Sequence, residues 1–261
     1  MEKSEKQKHF VLVHGACHGA WCWYKLVTLL RSKGHRVTVL DMAAAGVHPK
    51  RLEELTSFTD YCSPLLEFMA ALAPDERMIL VGHSLGGICI SLAMERFPRK
   101  IEVAVFVAAF MPGPELDILA TSQECQKQLD SYMDSQLTFG NGVDKHPTSI
   151  LLGPNCLSRK LYQLSPPEDL ALATLLMRPV AFHHGPDFLK EMALSKENYG
   201  LVRRVYLICE SDNILKQGFQ RWMIENNPSD EVKMISGADH MAMFSKPEEL
   251  CFRLQEIAEN Y

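Results

Sequence analysis

The chain has 261 residues, 47% of them hydrophobic, and a formal net charge of −5 at pH 7. That size allows one large core, with or without an insertion. The mild acidity and the absence of a basic stripe argue against a nucleic-acid partner, and no apolar run reaches the roughly 20 residues a membrane span needs.

The opening residues, Met1 to Lys8, are charged and lack the apolar stretch and cleavage site of a signal peptide, so a cytoplasmic protein is expected. Eight cysteines are scattered without a C-x-x-C pair. They read as free buried thiols of a reducing compartment, and no metal site is expected. A first strand over 10–13 runs into the loop His14-Gly15-Ala16-Cys17-His18-Gly19. A helix over 21–32 follows, with Trp23, Leu26, Val27 and Leu30 on one face. A second strand covers 36–40, and Asp41 closes it. Residues 65–72 read as a helix. The apolar run Met78-Ile79-Leu80-Val81 reads as a strand, followed by a helix over 88–96 and a nearly all-apolar strand over 101–107.

Strands alternating with helices imply right-handed crossovers and a mostly parallel sheet flanked by helices, an α/β fold. The alternation breaks at Met111-Pro112-Gly113-Pro114. Beyond it, helical segments are separated by Gly and Pro, including a helix start at Pro166-Pro167-Glu168-Asp169. Residues 113–182 therefore read as an inserted helical cap on a core made of 1–112 and 183–261. Strands are expected again over 205–209 and 232–235, and a closing helix over 248–260.

The chemistry begins at Gly82-His83-Ser84-Leu85-Gly86, between a strand and a helix. A Gly-x-Ser-x-Gly in that context is the nucleophile elbow of the α/β-hydrolase fold, which exposes the serine oxygen on a tight turn. A serine hydroxyl becomes a nucleophile only when a base takes its proton, and the base needs a carboxylate to fix its tautomer. In this fold class the order is Ser, acid, His. His240 lies in the loop after the last strand. Asp212 follows the strand over 205–209 at the usual loop position, and Glu210 is its nearest competitor. Asp239 is a poor orienter of its own neighbour, and Asp41 precedes the serine. Negative charge on the carbonyl oxygen calls for two backbone N–H donors. Leu85, next to the nucleophile, is one candidate; Ala16, after the first strand, is the other.

The remaining candidates read as structural. His14 and His18 brace their loop, His83 points away from substrate, and Trp21 and Trp23 belong to the core. His183 and His184 are adjacent and diverge, so they do not make a metal pair. Met133 and Met177 either line an apolar pocket or pack in the core.

The segments from His9 to Leu26, Gly82-His83-Ser84-Leu85-Gly86-Gly87, Phe219-Gln220-Arg221-Trp222 and Gly237-Ala238-Asp239-His240-Met241-Ala242-Met243 together resemble the plant methylesterase and hydroxynitrile lyase family. The resemblance spans nearly the whole chain. It implies an α/β-hydrolase core with a helical cap, no cofactor, frequent dimers and a cytosolic location. It implies cleavage of methyl esters of small hydrophobic acids such as salicylate, jasmonate, indole acetate or alkaloid intermediates. The family pattern places the triad on Ser84, Asp212 and His240 and the oxyanion donors on Ala16 and Leu85. Hydroxynitrile lyases of the family carry Thr at the Gly15 position and Lys at the Met241 position. Methylketone synthase, which this chain resembles around 164–174 and 227–233, decarboxylates 3-keto acids and lacks the triad serine and acid. Ser84, Asp212, Gly15 and Met241 therefore point to an esterase. A decarboxylase, a carbon–carbon lyase and a non-catalytic binder of a small acid stand as alternatives. Asn213, where many of these esterases have Lys, has no explanation from sequence.

Overall fold

The computed structural model describes residues 7–261. In chain order the core opens with β1 (His9–Val13), α1 (Tyr24–Ser32), β2 (Arg36–Leu40), α2 (Phe58–Ala71), β3 (Met78–His83), α3 (Gly86–Arg96) and β4 (Ile101–Val107). Next come α4 (Ile118–Gln128), β5 (Gln136–Thr138), β6 (Ser149–Leu151), α5 (Pro167–Leu176) and β7 (Val180–Ala181). The chain ends with α6 (Gly185–Glu191), β8 (Arg204–Cys209), α7 (Gln217–Asn226), β9 (Glu231–Ile235) and α8 (Pro247–Asn260).

The strands that the sequence marks as apolar are buried on both faces, and their two-residue period sorts them into two cores. Phe10, Leu12, Ile79, Val81, Val105 and Leu207 point to one side of the sheet. Val11, Val13, Leu80, Phe106, Tyr206 and Ile208 point to the other. The first core is closed by α1 and α8 through Leu26, Leu30, Leu250 and Leu254. The second is closed by α2, α3 and α7 through Leu65, Met69, Ile90, Met94, Phe219 and Met223. This is the helix–sheet–helix sandwich that continuous apolar strands require.

The six-stranded sheet has the order β2-β1-β3-β4-β8-β9, and every pairing in it is parallel. From β1 the chain first winds outward to β2 and then returns to the other side with β3. The carboxyl ends of β1 and β3 thus flank the point where the winding direction reverses, which is where open α/β sheets leave a crevice for ligands.

Two elements depart from the sequence expectation. The helix expected over 65–72 begins seven residues earlier, at Phe58. Ser57 caps it, its side chain accepting the Asp60 N–H at 3.0 Å, and Pro64 sits inside it. The buried face of Phe58, Tyr61, Cys62 and Leu65 outweighs the hydrogen bond that proline removes. Residues 113–182, expected to be helical, contain α4 and α5 and also a small antiparallel sheet, β5-β6-β7, whose strands are too short to show alternation.

Polar ties hold residues 113–182 against the rest of the chain. Asp169, only 1% exposed, accepts Lys25 Nζ at 2.5 Å and the Tyr24 hydroxyl at 2.8 Å. Arg178 donates to the carbonyls of His48 at 2.7 Å and Lys50 at 2.9 Å. Asp239 accepts the Leu164 N–H and the Ser165 hydroxyl, both at 2.9 Å. Removing a cation from a buried acid leaves an uncompensated charge. Lys25→Ala is therefore expected to destabilise the fold by about 2 kcal/mol, read as a lower urea midpoint with an unchanged slope.

Candidate active site

Ser84 follows the last residue of β3 and takes a left-handed backbone, with φ of 54°. Its carbonyl accepts the N–H groups of Gly87 at 3.0 Å and Phe110 at 3.1 Å, which pins the turn. The helix start packs directly on β1: a Cβ at Gly86 would lie 2.6 Å from the Val13 carbonyl oxygen. The serine side chain is thereby held at the mouth of the crevice between β1 and β3.

His240 and Asp212 arrive from the loops after β9 and β8. His240 Nδ1 donates to Asp212 Oδ2 at 2.6 Å. With the proton on Nδ1, Nε2 carries the lone pair that a base needs. The other Asp212 oxygen accepts the N–H groups of Ile214 at 2.8 Å and Leu215 at 2.9 Å, so the carboxylate is fixed at both ends. Glu210 is instead engaged with the Gly237 N–H at 2.9 Å, on the surface. Asp239 braces the insertion and accepts the Met241 N–H at 3.0 Å. Asp41 accepts the N–H groups of Ala20 at 2.6 Å and Val47 at 3.1 Å, which ties two loops together. Ser84 and His240 line one cavity. No hydrogen bond joins the Ser84 hydroxyl to His240, an alignment that substrate binding commonly tightens.

The backbone N–H groups of Ala16 and Leu85 donate to no partner among the described residues. Both residues line the cavity beside Ser84. Two free donors at the start of α3 and the end of β1 suit an anionic oxygen.

The neighbouring histidines are wired into the scaffold. His14 Nδ1 donates to the Gly15 carbonyl at 2.8 Å, and Nε2 accepts the Met42 N–H at 3.1 Å. His18 Nδ1 donates to the Ala16 carbonyl at 2.7 Å, and Nε2 accepts the Tyr162 hydroxyl at 2.7 Å. Burial pushes His18 down to about 3, and burial likewise lowers His14. His83 does not simply point away from substrate. Its Nε2 donates to the carbonyl of His240 at 2.8 Å, its ring lies 4.6 Å from the His240 ring, and it lines the cavity. Burial first, then the nearby His240, holds His83 well below the usual histidine value. No local signal could have revealed this contact, which joins residues 157 positions apart. Trp23 is fully buried and meets His83 edge-on at 6.2 Å.

The cavity has a volume of about 230 Å³, which suits a small ligand. From the insertion it takes Cys125, Leu129 and Tyr132 rather than Met133 or Met177. Met133 is 39% exposed, and Met177 is packed against the core. Asn213 donates to the Arg159 carbonyl at 3.3 Å, another tie to the insertion. Among the described residues no group of three or more His, Cys, Asp or Glu side chains could hold a metal ion, and all eight cysteines are unpaired.

The model of the alpha/beta hydrolase family matches residues 10–253. The chain is 60% identical to methyl jasmonate esterase 1 of Vitis vinifera over 262 aligned residues, covering 100% of each chain. It superposes on tomato methylketone synthase I complexed with 2-tridecanone with a TM-score of 0.93 at 49% identity, over 98% of this chain and 99% of that one. With polyneuridine aldehyde esterase the TM-score is 0.89 at 43% identity, over 97% of this chain and 100% of that one. A parallel sheet with a serine elbow at its switch point, matched along its whole length by such relatives, places this chain in the alpha/beta hydrolase family, in the plant esterase group that its motifs resemble.

Proposed function

We propose that the chain is a serine carboxylesterase that hydrolyses methyl esters of small hydrophobic acids of the salicylate, jasmonate, indole acetate or alkaloid type. The observation that carries this reading is one cavity holding Ser84, the Asp212-oriented His240 and two unpartnered N–H donors. Ser84 Oγ attacks the ester carbonyl while its proton passes to His240 Nε2. Asp212 stabilises the imidazolium, and the N–H groups of Ala16 and Leu85 hold the oxyanion. His240 returns its proton to the departing methoxide, which leaves as methanol. Water then loses a proton to His240 and attacks the acyl-serine. Collapse releases the acid and restores Ser84. The cycle consumes one water and needs no cofactor.

Two residues support hydrolysis over the alternatives. A Cβ at Gly15 would lie 2.8 Å from Ser84 Cβ, so a threonine there would crowd the nucleophile. Met241 is fully buried and apolar, and offers no cation for a departing cyanide. Residues 113–182 act as a cap on a core of 1–112 and 183–261. Unpaired thiols suit a cytoplasmic location, and no helix among the described residues is long and apolar enough to cross a membrane. The resemblance to a family rich in dimers makes a homodimer the expected assembly.

Ser84→Ala is expected to lower kcat/KM for a methyl ester by roughly 10³-fold or more. Retained hydrolysis would overturn the mechanism, and 3-keto acid decarboxylation by the same variant would favour the decarboxylase. The hydrogen bond from His83 holds the backbone of the base, and small misplacements cost up to about 10²-fold. His83→Leu should therefore lower kcat by roughly 10-fold or more with KM little changed, while His83→Gln, which keeps a donor, recovers part of the loss. Equal damage from Leu and Gln would refute this positioning role.

The buried histidines His14, His18 and His83 are held below their ordinary value. Below about pH 6.5 the unfolded chain binds protons that these native side chains refuse, so their stabilisation is complete above that pH and declines as pH falls. Each can remove up to about 1.4 kcal/mol per pH unit in that range. Urea unfolding at pH 7.5 and pH 5 should show a clear loss of stability at the lower pH.

A further inference from the structure

The cavity at Ser84 shares a wall with a second cavity. Phe58, Phe182, His183, His184 and Phe188 line both. The first holds Ser84 and His240 in a mainly apolar lining of about 230 Å³. The second is larger, about 600 Å³, and more polar, with Ser57, Asn141, Lys145, His146 and Asp187 among its lining. Asn141, Lys145, His146 and Asp187 are exposed, so the second space is a vestibule facing solvent.

Three of these five shared rings pack against one another. Phe58 meets His183 edge-on at 5.4 Å and Phe188 edge-on at 5.5 Å. His183 and Phe188 close the triangle at 5.9 Å. The rings come from elements far apart in sequence. Phe58 opens α2, His183 precedes α6, and Phe188 lies within α6. A carboxylate locks these elements together: Glu191, at the end of α6, accepts the Thr59 N–H at 2.9 Å and the Thr59 hydroxyl at 3.1 Å. Gly185, with φ of +86°, turns the chain from His184 into α6.

We infer that Phe58, His183 and Phe188 form an end wall of the acyl site and set the length of acid that the enzyme accepts. This rests on the esterase reading of the same site. An acyl group that ends before the wall is desolvated against these rings. A longer one must displace a ring or push its tail among polar, hydrated groups, and so loses the gain in binding that each further methylene otherwise brings. That gain is roughly fourfold per methylene when fully buried. Phe188 is the ring whose size can be changed with least disturbance, because it is only half-buried on the helix α6.

The test measures kcat/KM for saturated methyl esters from butanoate to dodecanoate with wild type, Phe188→Ala and Phe188→Trp. The wild type should lose activity beyond one chain length. Phe188→Ala should raise the ratio of long-chain to short-chain kcat/KM at least 10-fold, and Phe188→Trp should lower it. Because each ratio is taken within one preparation, a partly unfolded variant does not alter it. Ratios within twofold of wild type in both variants would overturn the wall while leaving the esterase reading intact. A wild type that cleaves none of these esters, nor any other methyl ester, would overturn the esterase reading itself.

Discussion

A non-glycine residue with a left-handed backbone costs of order 1 kcal/mol or more, so it persists only where its surroundings over-determine it. At Ser84 they do. Its carbonyl takes two N–H donors, from Gly87 and Phe110, and its N–H reaches Val107 on the neighbouring strand. The following helix start is pressed so close to β1 that no side chain fits at Gly86. That close approach has a chemical consequence. It brings the end of β1 beside the start of α3, so the free N–H groups of Ala16 and Leu85 open on the same cavity as the serine.

The second constraint is electrostatic. Four histidines, His14, His18, His83 and His240, are nearly or fully buried around the crevice. A group of charged imidazoles could not share so dry a space. Three of them are held neutral, each spending a ring N–H on a backbone carbonyl. His240 differs because its N–H is spent on the Asp212 carboxylate. The same residue type therefore meets different acceptors: a backbone carbonyl at three positions and a carboxylate at His240.

The insertion is attached by a different principle. Buried acids grip it at separate points: Asp169 takes Lys25 and Tyr24, and Asp239 takes the Leu164–Ser165 turn. Directional polar contacts fix where the insertion sits, while its apolar side chains remain free to shape the room above Ser84. Loops of the sheet thus carry Ser84 and His240, and residues 113–182 supply part of the wall of the same cavity.

Much of this was legible from local pattern. Apolar runs bounded by turns marked the four inner strands β1, β3, β4 and β8 to within a residue or two, because a strand buried on both faces needs no partner to reveal it. The elbow was legible because its glycines and serine are neighbours, and Asp212 and His240 because each follows a strand that such a sheet must place at the same edge. What was not legible depends on pairs far apart in the chain. The first half of α2 forms in spite of Pro64 because Ser57 caps it and the core takes its apolar face. The three short strands of the insertion exist only by pairing with one another. His83 reaches the carbonyl of a residue 157 positions away, and Cys125, Leu129 and Tyr132, not Met133 or Met177, face the cavity. Composition and periodicity determine which residues can react and which strands carry them. Only tertiary packing decides how much room surrounds the serine, because a cavity is bounded by side chains that no local sequence relation brings together.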